Sequence, residues 1–84
     1  MNNKKIRFYG ATWCPDCRRS RTFLDQQKIE YGYIDLEEVP GAAEEVEKIN
    51  KGYQSIPTII FPNGQVLVEP SNVQLQKALD ENKI

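Results

Sequence analysis

The chain has 84 residues, 39% of them apolar, with 11 Lys and Arg against 12 Asp and Glu for a formal net charge of −1. Residues 1–84 suit one domain, and the near-neutral balance supplies no basic field to hold nucleic acid. The apolar share is that of a folded globular chain, and no apolar run is long enough to span a bilayer, so neither nucleic acid nor membrane is an expected partner.

The opening Met1-Asn2-Asn3-Lys4-Lys5 leads into a short strand-like run broken by Arg7, not into the apolar core of a signal peptide. The expected location is cytoplasmic. Lys5–Tyr9 (KIRFY) is short and rich in strand formers and reads as a buried strand. Gly10-Ala11-Thr12 makes a loop. A helix is predicted from about Pro15 to Lys28, with Cys17, Phe23 and Leu24 inward and Arg18, Arg19, Arg21, Asp25 and Gln27 in solvent. Tyr31–Leu36 (YGYIDL) reads as a second strand, weakened by Gly32. Strand, helix and strand within about thirty residues make a βαβ unit, with parallel strands and a right-handed crossover.

A second helix is expected to begin at Glu37-Glu38-Val39-Pro40, with Ala42, Val46, Ile49 and Tyr53 recurring on its sheet-facing side. Lys48 and Lys51 fall in its last turn and Gly52 just past its end. Ile56–Phe61 reads as a third strand introduced by Pro57. Asn63-Gly64 is a tight-turn signature, and Gln65–Val68 returns as the fourth strand. Ser71-Asn72-Val73-Gln74 matches a capping box for a last helix, with Val73 or Leu75, Ala78 and Leu79 inward. The order is β-α-β-α-β-β-α, an α/β fold of three helices around a four-stranded mixed sheet.

The chemistry concentrates in Thr12-Trp13-Cys14-Pro15-Asp16-Cys17, which holds both cysteines of the chain where a strand hands over to a helix. A Cys-x-x-Cys in that place is the sign of a thiol–disulfide redox centre. A helix start presents unpaired N–H groups and the positive end of the macrodipole, and both favour a thiolate, the reactive form of cysteine. Pro15 suits the first helical position because its missing N–H has no helical partner there. Cys14 is the natural attacking thiol and Cys17, a turn further in, the resolving one. A structural disulfide is the poorer reading. So short a ring constrains the unfolded chain by about 2 kcal/mol at best, and the cytosol would reduce it. A zinc site or an iron–sulfur cluster is the next rival. With no histidine and no third cysteine, it needs carboxylates or a second, dimerising subunit. Trp13 beside the pair is read as a partner contact; Glu44, Glu45 and Glu47 are read as a solvated helix face.

Trp13-Cys14-Pro15-Asp16-Cys17, Ser55-Ile56-Pro57-Thr58, Asn63-Gly64 and Glu69-Pro70-Ser71 together resemble the glutaredoxin branch of the thioredoxin fold, nearest to mycoredoxin-type and related bacterial glutaredoxin-like proteins. The resemblance spans nearly the whole chain and implies a cis Ile56–Pro57 bond beside the cysteines. It implies a thiol–disulfide oxidoreductase acting on disulfide-containing proteins or on mixed disulfides with a small thiol. No cofactor is bound in this reading. Electrons come from glutathione, mycothiol or a similar thiol, or from a flavin reductase, and the chain works as a monomer. Thr12, Trp13, Pro15, Gln54, Ile56, Pro57, Ser71 and Asn72 are the expected substrate-binding residues, the last two as a carboxylate seat at a helix start. The pattern departs from the family in three places. No lysine shortly precedes Cys14, Val68-Glu69-Pro70-Ser71-Asn72 stands where many members have Gly-Gly and acidic residues, and Asp16 stands where tyrosine is common. Redox-inert peptide binding in a groove between Trp13 and Ile56-Pro57 is the remaining alternative.

Overall fold

A computed structural model of the protein describes residues 5–84, so the reading of Met1–Lys4 lies outside the described residues. Strand β1 (Ile6–Gly10) is the spine of the sheet. It pairs in parallel with β2 (Tyr31–Asp35), Phe8 opposite Tyr33 and Gly10 opposite Asp35. On its other side it pairs antiparallel with β3 (Thr58–Ile60), Phe8 opposite Ile59. The Asn63-Gly64 turn, Gly64 at φ +92°, brings back β4 (Val66–Val68) as the outer strand, so the order is β2-β1-β3-β4. Helices α1 (Pro15–Gln26), α2 (Ala42–Ile49) and α3 (Asn72–Glu81) complete the β-α-β-α-β-β-α order.

Alternation along β1 divides the interior into two cores. Ile6 and Phe8 join Ile59, Phe61, Leu24 of α1 and Leu75, Ala78 and Leu79 of α3, and both cysteines lie in this larger core. Tyr9 and Ile60 point the other way, against Ala42 and Val46 of α2. Each fully buried Leu, Ile or Phe contributes roughly 1.5–3 kcal/mol of transfer free energy, so the cysteines are set in the larger of the two apolar clusters.

Several element ends differ from the sequence reading. Glu37–Pro40 do not open a helix. The Asp35 side chain accepts the Glu37 N–H at 2.8 Å and its carbonyl accepts those of Glu38 and Val39, a local turn that competes with helix. Helix α2 therefore starts at Ala42, after Gly41 at φ +85°. It stops at Ile49, because Lys51 (φ +57°) and Gly52 (φ +105°) turn the chain away, and Tyr53 is exposed instead of facing the sheet. Helix α1 likewise ends at Gln26, two residues early, with Lys28 at φ +58°. Phe23 is half-buried, and Val73 is exposed while Leu75 takes the core position. The Ser71/Gln74 capping box is complete in both directions. Strand β3 is shorter than expected because Pro57 spends its carbonyl on the Glu69 N–H (2.8 Å) and Phe61 already belongs to the hairpin, its N–H bonded to Gln65.

Candidate active site

The junction of β1 and α1 is built by backbone groups. The Cys14 N–H donates to the Ala11 carbonyl at 3.2 Å, Pro15 opens the helix, and the Cys14 carbonyl accepts the Arg18 N–H at 3.1 Å. Cys14 itself is the N-cap, in extended conformation, and its Sγ accepts the Cys17 N–H at 3.2 Å. The sulfur thus occupies the place a Ser or Asp oxygen takes at most helix starts, facing donors that have no helical partner. Both cysteines are free thiols. Cys14 is 6% exposed and Cys17 is fully enclosed.

Gly10 makes this enclosure possible. A Cβ there would sit 3.0 Å from Cys17 Sγ and 3.2 Å from the Phe8 ring, so only glycine lets the helix settle so close to the strand. Burial pushes the Cys17 thiol up to about 12; the hydrogen bond with Cys14 adds to this, the Ala11 backbone opposes it, and the charges of Cys14 and Asp16 add the least. Cys17 is therefore held as a neutral thiol near pH 7.

Around the pair, Trp13 is 59% exposed, with its indole N–H donating to Glu37 Oε2 at 2.7 Å. The Thr12 carbonyl accepts from Arg18 Nε at 3.3 Å, and Pro15 is exposed at the rim. The Ile56–Pro57 bond is cis. Pro57 is buried, and Ile56 is half-buried against the core that contains both cysteines. The hydroxyl of Thr58 braces this turn: it donates to the Ser55 carbonyl at 2.7 Å and accepts from Asn50 at 2.9 Å.

The other expected binding residues are placed less directly. Gln54 is exposed and its amide is engaged by Glu47 of α2. Ser71 Oγ is committed to the Gln74 N–H at 3.1 Å, and Asn72 Oδ1 accepts from Arg19. Arg19 is the link that joins the start of α3 to the cysteine loop, since it also holds Asp16 at 2.9 Å. Sequence reasoning placed Arg19 in solvent and Glu37 in a helix and so missed both contacts, which join residues 53 and 24 positions apart. Gly10 carried a readable signal, a glycine at the strand end just before the cysteines.

On the β2 side, the Tyr33 hydroxyl is buried without a hydrogen-bond partner, and the Arg21 guanidinium lies 3.9 Å above its ring. Burial raises the Tyr33 phenol, helped by Asp35 and Cys17 and opposed by Arg21. Among the described residues no group of three His, Cys, Asp or Glu side chains is placed to hold a metal ion. No helix among them is long and apolar enough to cross a membrane.

This architecture is the thioredoxin-like fold. The solved thioredoxin-like protein BC3987 superposes with a TM-score of 0.78 at 27% identity, covering 89% of this chain and 100% of that one. A glutaredoxin of Archaeoglobus fulgidus gives the same TM-score at 20% identity, over 89% and 85% of the two chains, a likeness of fold. The glutaredoxin family model matches residues 6–67, and mycoredoxin 1 of Corynebacterium glutamicum is 36% identical over 70 residues, 83% of this chain and 84% of that protein. The chain belongs to the glutaredoxin family. That membership and the mycoredoxin relative support a thiol–disulfide oxidoreductase function in general.

Proposed function

We propose that the protein reduces disulfides through Cys14 and Cys17. The Cys14 thiolate attacks one sulfur of a substrate disulfide; that S–S bond breaks and the leaving sulfur departs as a thiol after taking a proton. Cys17 then loses its proton and attacks the Cys14 sulfur of the mixed disulfide, releasing the second substrate thiol and leaving a Cys14–Cys17 disulfide. Two electrons have passed from the cysteine pair to the substrate. A small thiol such as glutathione or mycothiol, or a flavin reductase, returns them.

The observation that carries this reading is the 3.2 Å contact from the Cys17 N–H to Cys14 Sγ, with Cys17 itself enclosed. It keeps one sulfur at the helix mouth among unpaired donors and its neighbour in reserve, protonated, one turn away. Thr12, Trp13 and Pro15 make one wall of the substrate groove and Ile56-Pro57 the other. Proline contributes no N–H, so the Ile56 backbone is left to pair with an extended substrate segment. The substrates fitting such a groove are disulfide-containing proteins or proteins in mixed disulfide with a small thiol, in the reducing setting of the cytoplasm. Ser71 and Asn72 receive the carboxylate of a small thiol only if their present bonds are exchanged. Gln54 acts at the groove's edge.

Comparing two variants tests the mechanism. Cys14→Ser is expected to abolish reduction of every substrate, and Cys17→Ser to retain activity only on mixed disulfides with small thiols. Full activity of the Cys14→Ser protein overturns the reading.

A further inference from the structure

Arg19 makes more polar contacts than any other side chain around the cysteines. Its Nε binds Asp16 Oδ1 at 2.9 Å, Nη1 meets Asn72 Oδ1, and Nη2 meets the Pro70 carbonyl and Ser20 Oγ, the last at 3.1 Å. One guanidinium therefore joins the residue between the two cysteines to the turn that opens α3. Resting on the redox reading above, we propose that Arg19 is a positioning residue: it holds the Asp16 carboxylate in a neutralised pair and so keeps the Cys14–Cys17 centre reactive.

The argument starts from Asp16. It belongs to the first turn of α1, between the two cysteines in the chain, and its charge adds, as the smallest of the causes, to the resistance of Cys17 to ionisation. A negative charge beside a sulfur opposes the thiolate on which the proposed chemistry depends. An isolated pair this exposed, at 36% and 44%, would do little about it, because two loose side chains in water hold no fixed geometry. Here the geometry is fixed. A planar fork tied as well to Ser20 of α1, the Pro70 carbonyl and Asn72 of α3 has little freedom left, and the carboxylate it holds is fixed with it.

No neighbour can take over. Arg18, the other cation in this turn, has its Nε on the Thr12 carbonyl. From β2 the ionisable groups facing the centre are Tyr33 and, beside it, Asp35, and Arg21 of α1 lies over the Tyr33 ring. None of these is bonded to Asp16. A lysine at position 19 would supply a point charge without the fork, keeping the pair with Asp16 but not the ties to Pro70 and Asn72 together.

The test is the pH dependence of iodoacetamide alkylation of Cys14, read by mass spectrometry on the full chain. Arg19→Gln is expected to move the midpoint up by roughly half to one pH unit, the effect of one uncompensated neighbouring charge in a partly wet site. Asp16→Asn added to Arg19→Gln is expected to bring it back to the parent value, and Arg19→Lys to fall between. Asp16→Asn alone, which folds without needing Arg19 replaced, is expected to move the midpoint less than Arg19→Gln does. An unchanged midpoint in Arg19→Gln overturns the proposal. So does a shift that Asp16→Asn fails to reverse, since a merely structural arginine would leave the damage in place. The readout needs no turnover, so it judges Arg19 even if the Cys14→Ser variant keeps its reductase activity and the redox reading falls.

Discussion

The backbone N–H of Cys17 donates to the sulfur of Cys14 at 3.2 Å, while the Cys17 sulfur is packed under Gly10. The sulfur of one cysteine therefore caps the backbone of the other, and both lie within the packed interior. Iodoacetamide at neutral pH is expected to modify Cys14 at least tenfold faster than Cys17, because only Cys14 has any exposure and Cys17 is held neutral. Peptide mapping after limited labelling checks this. Equal labelling of both would show that the first turn of α1 opens readily.

Alkali is expected to destabilise the fold. Cys17 is raised from an ordinary 9.0 to about 12, so its favourable contribution is whole below pH 9 and is lost as the pH climbs through the folded value. Tyr9, Tyr31 and Tyr33 are raised from 10.0 and act in the same direction. The urea midpoint should stay level from pH 7 to about 9 and fall above that, less steeply in Cys17→Ala. A midpoint that rises above pH 9 would contradict the burial of these groups.

Gly10→Ala places a methyl group 3.0 Å from Cys17 Sγ and 3.2 Å from Phe8. Neither neighbour can yield without moving α1 or the core, so a loss of about 1–3 kcal/mol is expected in urea unfolding. The same substitution should slow the step in which Cys17 attacks the mixed disulfide more than the first attack by Cys14. Single-turnover release of the two substrate thiols separates them.

Tyr33→Phe is expected to be neutral or to stabilise by up to about 1 kcal/mol. The hydroxyl it removes is buried and unpaired, and an unsatisfied polar group costs more than an apolar atom in the same space. The ring contact with Arg21 survives the change. A loss above 1 kcal/mol by urea unfolding would reveal an ordered water serving that hydroxyl.

Legibility followed the strength of the local signal. Short runs of strand formers and apolar residues at helical spacing placed all three helices and four strands, and the capping box at Ser71 and the turn at Asn63-Gly64 were read correctly because their bonds close within a few residues. The errors came where short-range competitors acted together. Asp35 captured the Glu37 N–H and withheld five residues from α2, and the positive-φ pair Lys51 and Gly52 turned Tyr53 outward. Each is a balance of about 1 kcal/mol that no periodicity records.

The sequence by itself determined that the cysteine pair sits at a strand-to-helix passage, because that is a local arrangement with local electrostatics. Only the tertiary structure decided the strand order β2-β1-β3-β4, the seating of Cys17 beneath Gly10, and the grip of Arg19 on Asp16, Pro70 and Asn72. Those depend on which surfaces pack together across the sheet. Packing is settled by the shape and burial of all the side chains at once, not by the residues flanking any one of them.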